Sequence, residues 1–248
     1  VAAELSPPRG VNLEAIARDA GTLKAYTDAV NVTDNQAASV RMSSVAVSAL
    51  LIQHGVEPVV QMTVRDRNRL AIQADLLGAA ALGARNVLCL SGDHGRWGDH
   101  PQAKGVFDID SIQLLRLVRN MTVSGCLDNG REIKPPPQFF IGAAANPFAP
   151  PHDYRPYRLA KKVAAGARFI QTQLIYNVAR FREYMSQVRD LGLDQQVYIL
   201  AGVGPLKSIR MAEFMAKNVA GMDVPQAIIE RMRKTPKAAQ AEPFQDAM

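Results

Sequence analysis

The sequence predicts a parallel α/β fold, a (β/α)8 TIM barrel of which seven units can be counted. Three observations predict it. Strand-like runs alternate with helix-like runs along the chain, the pattern of parallel strands joined by crossover helices. Most strand-like runs are apolar throughout, as in strands covered on both faces. Polar residues mark nearly every strand's end and no Gly-x-Gly-x-x-Gly turn follows any strand, which favours a barrel over an open doubly wound sheet. With 248 residues, 48% of them hydrophobic, the chain matches the size of one such domain. Residues 1–248 therefore read as a single barrel domain with a basic, polar tail from about residue 234.

The strands are expected at Val1 to Leu5, Ala29 to Thr33, Pro58 to Thr63, Asn86 to Leu90, Gln138 to Ala143, Phe169 to Ile175 and Val197 to Val203. Apolar residues at helical spacing predict the helices between them at Leu13 to Tyr26, Ala38 to His54, Asn68 to Gly83, Asp110 to Met121, Tyr157 to Ala165, Val178 to Leu191 and Ser208 to Asn218. In the third helix, Leu70, Ala74, Leu77, Ala80 and Ala81 form the apolar face. A last helix is expected from Pro225 to Arg233, where proline suits the first position. No eighth strand can be read before Met248, so the eighth unit is expected to be missing or truncated. Two loops are long enough to carry function: Asp93 to Phe107, and Ser124 to Pro137, in which Asn129-Gly130 signals a hairpin turn.

Charge and composition remove several function classes. The formal charge is +6, but Lys and Arg are scattered without an aromatic-basic stripe, so a nucleic-acid partner is not expected and an anionic small ligand suits the charge equally. No apolar run reaches the roughly 18 residues that span a membrane, and the first residues lack a signal-peptide pattern. Cys89 and Cys126 are too few and too far apart for a disulfide framework or zinc site, which suggests a reducing, cytoplasmic setting. His54, His94, His100 and His152 show no two-histidine helical spacing, and no metal is expected.

The chemistry is expected where the strands end. In chain order the polar groups there are Glu4, Thr33 with Asp34 and Asn35, Gln61 with Thr63 and Arg65, Asp93, Asn146 and Gln173. Four strings among them resemble the methylenetetrahydrofolate reductase family of flavin-dependent barrels, in order and approximate spacing over nearly the whole chain. They are Glu4-Leu-Ser-Pro-Pro-Arg9, Val30-Asn-Val-Thr33, Asn86 to Asp93 with its terminal Gly-Asp, and Phe169-Ile-Gln-Thr-Gln173.

The resemblance implies reduction of 5,10-methylenetetrahydrofolate to 5-methyltetrahydrofolate through a bound FAD, in one-carbon metabolism. Glu4 matches the family's general acid, and its apolar neighbours Ala3, Leu5, Pro7 and Pro8 would disfavour the carboxylate. Asp93 matches the aspartate near the flavin's pyrimidine edge and the folate's pterin, and it would also stabilise an iminium electrostatically. Thr33, Gln61, Ser91 and Gly92 correspond to flavin-contacting positions, Lys162 to a lysine near the flavin's phosphates, and Gln173 to a substrate-binding glutamine. Gln61 stands where a histidine is expected, Ser91 replaces an arginine, Ala144 falls where a stacking tyrosine is expected, and Met211 lies near an expected substrate-binding glutamine. These departures leave FMN, or weaker flavin binding, open beside FAD.

NAD(P)H and a redox partner subunit are alternative electron donors under the same resemblance, and a homo-oligomer is expected. Because the chain begins inside an apparent strand and lacks the family's eighth, it is expected to be a truncated or partly ordered version of a longer protein. Two other readings stand beside the reductase. One is a pterin-binding methyltransferase barrel working with a corrinoid partner; the other is a non-catalytic subunit of an electron-transfer complex.

Overall fold

Alternation along each strand decides which side chains meet the helices and which stay clear of them. The computed structural model describes residues 1–219 and 221–235, and most of the predicted tail lies outside these residues. The strands are β1 (Ala2–Leu5), β2 (Ala29–Val32), β3 (Pro58–Thr63), β4 (Asn86–Leu90), β5 (Phe140–Ala145), β6 (Phe169–Leu174) and β7 (Tyr198–Gly202). Helices α1 (Leu13–Lys24), α2 (Ser44–Gln53), α3 (Arg69–Ala81), α4 (Ser111–Arg119), α5 (Arg155–Ala165), α6 (Val178–Asp190), α7 (Ile209–Asn218) and α8 (Gln226–Lys234) complete the alternation. The fold is α/β with seven parallel strands, and the segment 221–224 carries no strand.

Contacts divide the chain into two compact units, Val1–Ala143 with Ala165–Arg168, and Ala144–Ala164 with Phe169–Met248. In the first, β1 to β5 pair in chain order, with Glu4 beside Asn31, Asn31 beside Val59, and Gln61 beside Leu88. Leu5, Val30 and Val32 pack with Ile16, Ala20, Val47 and Leu51 beneath α1 and α2. Val60 packs with Ala79 and Ala84. The alternate residues Glu4, Asn31, Thr33 and Gln61 therefore belong to the opposite face, away from those helices. Helix α3 starts where Asn68 Oδ1 accepts from the Leu70 and Ala71 amides at 3.1 and 3.0 Å, and α4 starts on a capping box between Asp110 and Gln113.

In the second unit β6 and β7 pair in parallel with a register shift between Gln171 and Leu174. A Cβ on Gly202 would sit 2.5 Å from the Thr172 carbonyl oxygen, so the two strands approach too closely there for any side chain. Leu206, Ala212, Ile229 and Met232 form this unit's apolar core with Tyr176 and Val224.

The second predicted helix differs most from its expected span. It begins at Ser44 rather than Ala38, because Asn35, Ala37 and Ala38 hold φ of 47°, 54° and 52°, a left-handed conformation that cannot enter an α-helix. Helix α4 stops at Arg119, followed by a π turn over Asn120–Ser124. The expected hairpin at Asn129-Gly130 is present in minimal form: Cys126 and Glu132 bridge antiparallel, and the Leu127 amide donates to the Arg131 carbonyl at 2.8 Å.

Candidate active site at the strand ends

The first unit brings six of the predicted residues, Glu4, Thr33, Gln61, Ser91, Gly92 and Asp93, to the ends of β1 to β4. Glu4 keeps contact with solvent, but the protein around it makes the charged form less favourable. Burial pushes its pKa up, against the smaller opposing effect of the Gln36 amide, which donates to Oε1 at 3.4 Å. Gln36 is itself held by the Ser6 hydroxyl, which donates to its Oε1 at 2.6 Å.

Thr33 and Gln61 lie one residue beyond the paired positions Val32 and Val60. Thr33 is 2% exposed and its hydroxyl has no hydrogen-bond partner. Gln61 is 8% exposed, and no side-chain hydrogen bond joins it to the described residues. A buried hydroxyl without a partner is costly, so Thr33 is suited to an incoming polar ligand, while the Gln61 amide is not among the buried groups left unpartnered.

Gly92 holds φ +85°, and a Cβ there would lie 3.1 Å from Arg65 Cβ and 3.2 Å from Thr63 Cβ. Glycine therefore fits where a side chain would press on Arg65 and Thr63 in a left-handed conformation. Both flanking residues are exposed. Asp93 Oδ2 accepts from the Ala37 amide at 2.9 Å. Its Oδ1 has no hydrogen-bond partner, and Asp93 enters no ion pair, among the described residues.

The run Arg65-Asp66-Arg67-Asn68-Arg69, between β3 and α3, organises this region, and the sequence reading gave it no role beyond noting Arg65. Arg65 is 3% exposed; its Nε and Nη2 clamp the two Asp66 oxygens at 2.7 Å each, while Nη1 and Nη2 donate to the Asp93 and Asn35 carbonyls at 2.9 and 3.2 Å. Arg67 grips the buried Asp34 at 2.7 and 3.1 Å and Asp75 at 2.8 Å. Asp34 also accepts from the Thr63 amide and hydroxyl, both at 2.9 Å. Arg69 reaches Asp108 and Asp128 at 2.8 Å each, tying in both long loops. The hydrogen bonds from Arg65 hold the Asp66 carboxyl below the usual aspartate range. Alternating arginines directly after a strand were the sequence signal for this network, but its partners lie up to 59 residues away.

The Gly-rich loop after β4 is strapped to β3 through the Val106 amide, which donates to the Arg65 carbonyl at 2.7 Å, and the Phe107 amide, which donates to Val64 at 3.2 Å. A cavity of about 240 Å³ lies beside this strap, lined among others by Asn35, Arg65, Asp66, Asp99, His100 and Lys104.

In the second unit, the buried Lys162 amine donates to the Ala144 carbonyl. Gln173 sits in the irregular stretch of β6, where its Oε1 accepts from the Leu174 amide at 3.0 Å. The amide nitrogen of Gln173 therefore remains as the donor it presents, while its oxygen is partly committed. Cys126 is a free thiol. Among the described residues no helix is long and apolar enough to cross a membrane.

Comparison with known proteins gives these positions a context. The family model for methylenetetrahydrofolate reductase matches residues 1–243. The probable methylenetetrahydrofolate reductase (NADPH) of Caenorhabditis elegans is 26% identical over 239 residues, covering 92% of this chain and 33% of that protein. Methylenetetrahydrofolate reductase 2 of Schizosaccharomyces pombe is 27% identical over 215 residues, covering 82% and 31%. The chain thus spans about a third of the length of these relatives. Among solved structures, an uncharacterized Clostridium thermocellum protein that binds two copies of 5-methyl-5,6,7,8-tetrahydrofolic acid has a TM-score of 0.60 at 12% identity, covering 100% of this chain and 82% of that one. At this identity the likeness establishes the fold alone.

Proposed function

The chain belongs to the methylenetetrahydrofolate reductase family, and on that premise we propose that it reduces 5,10-methylenetetrahydrofolate to 5-methyltetrahydrofolate with the help of a bound flavin, FAD. The observation that carries the reading is Glu4. The residue matching the family's acid stands at a strand end with its pKa raised by burial, the direction that favours a proton donor. A folate ligand is further supported by the Clostridium thermocellum protein of similar fold, which binds the product of this reaction.

The residues fit a flavin in three respects. The Thr33 hydroxyl is buried without a partner, the Gln61 amide is free of side-chain bonds to the described residues, and Gly92, half-buried beside Asp93, carries no side chain. The first two supply donors and acceptors for the polar edge of an isoalloxazine, and the third allows close approach. Lys162 is assigned to the phosphates and Gln173, through its amide nitrogen, to the pterin. The seven strands are read as the family's eight-unit barrel without its last unit.

Glu4 protonates the leaving nitrogen of the folate's imidazolidine ring, which opens to a cationic iminium. Asp93, with one carboxylate oxygen free and in no ion pair, would face the developing positive charge with a negative one. A flavin held by these residues would supply the hydride that converts the iminium carbon to the methyl group. The donor that reloads the flavin is assigned to NAD(P)H, in keeping with the name of the Caenorhabditis elegans relative.

The test is an absorbance spectrum of the purified protein taken anaerobically. A flavin band should bleach on reduction and recover when methylenetetrahydrofolate is added. A colourless protein that transfers a methyl group to cobalamin would instead identify a corrinoid-dependent methyltransferase.

A further inference from the structure

Arg65 and Asp93 pose a question of charge. A nearly fully buried guanidinium lies beside an exposed carboxylate, yet the two do not pair. Arg65 donates to the Asp93 carbonyl at 2.9 Å, not to its side chain. The reason is visible in the fork geometry. Asp66 takes Nε and one Nη2 hydrogen at 2.7 Å each, the Asn35 carbonyl lies on the same Nη2 at 3.2 Å, and the planar group is held in place by these bonds. Asn35 Nδ2 also donates to Asp66 at 3.3 Å, steadying the acceptor.

The surrounding charges are matched in the same way. Asp34 is neutralised by Arg67 at 2.7 Å and Asp99 faces His100 at 2.9 Å; Lys104 lines the neighbouring cavity. Arg65, Asp66 and Asp93 together carry one net negative charge, and the geometry leaves it on Asp93.

We infer that Asp66 is a positioning residue that occupies the Arg65 guanidinium, so that Arg65 fixes the Asp93 main chain while the Asp93 carboxylate forms no ion pair with it. This rests on the reading of Asp93 as the residue that faces the flavin and the iminium. It adds to that reading how the chain keeps a buried arginine from quenching the charge.

The test follows the Asp93 carboxyl carbon by NMR across pH in the protein without flavin, in Asp66→Asn, Arg65→Met and the double variant. In Asp66→Asn the freed cation should make Asp93 about tenfold more acidic, a fall of about one pH unit in its midpoint. In Arg65→Met the midpoint should rise, because Asp66 then faces Asp93 without a cation between them. The double variant should return to within about twofold of the parent. A merely structural role would displace all three variants in one direction, and that result, or an unmoved Asp66→Asn, overturns the assignment. Flavin titration of the same proteins separates the two levels: the expected midpoints in a protein that takes up no flavin would leave the charge assignment standing and remove the flavin reading.

Discussion

The polar residues at the ends of β2 to β4 divide into two sets that differ in how completely they are paired. Asp34, Arg65, Asp66 and Arg67 are bonded to one another and to the backbone. Thr33, Gln61 and Oδ1 of Asp93 lie among them with nothing to bond to in the described residues. The paired set costs little to keep buried because its charges are satisfied; in the unpaired set the Thr33 hydroxyl is buried without a partner, whereas Asp93 is exposed and Gln61 has no buried unpartnered atom. The difference separates scaffold from site more sharply than residue type does, since acids occur in both sets.

The comparison can be broken most severely at Asp34. Its removal in Asp34→Ala strands Arg67 and the Thr63 amide, and unfolding by denaturant should show a loss of about 3–5 kcal/mol. Gly92→Ala forces a side chain into a positive-φ position against Arg65 and Thr63, and should cost about 1–3 kcal/mol by the same measurement. Thr33→Val should behave in the opposite way. Removing a buried hydroxyl without a partner should leave stability unchanged or raise it by about 1 kcal/mol, while flavin affinity measured by titration falls. A large loss of stability in Thr33→Val would move this residue to the scaffold.

The smallest effect concerns pH. The folded state holds the Glu4 proton to higher pH than the unfolded chain does. Its stabilising contribution is present at low pH and declines as pH rises from the ordinary glutamate range through the raised folded value. Glu4→Gln should remove that decline, so denaturation midpoints of the two proteins should diverge across this window in favour of the variant.

Much of this architecture was legible in the sequence. Continuous apolar runs bounded by helical periodicity locate β3 and β4 at the residues where they occur. Asn68, as a side-chain acceptor, marks the start of α3, but the buried face is Ile72, Leu76 and Ala79 and not the expected stripe from Leu70, which is exposed. The stretch from Asn35 to Ala38 was not legible, because alanine is the strongest helix former and two alanines here hold left-handed φ. What fixes them is the Asp93 carboxylate bound to the Ala37 amide, 56 residues away in sequence. The site divides in the same way. Glu4 and Asp93 could be picked out by position at strand ends and by family pattern, whereas the distinction between paired and unpaired groups depends on partners that no local spacing encodes. Arg65 shows this best: the sequence places it among the polar groups at a strand end, and only its contacts with Asn35, Asp66 and Asp93 explain why it is buried.

The central claim is that Glu4 supplies the proton for folate reduction while the flavin's own reduction does not depend on it. Stopped-flow measurement of the two half-reactions in Glu4→Gln tests it most directly. Flavin reduction should proceed at nearly the parent rate, and reoxidation by methylenetetrahydrofolate should slow by about 10²-fold or more. Equal slowing of both half-reactions, with flavin still bound, would contradict the assignment of Glu4 as the acid.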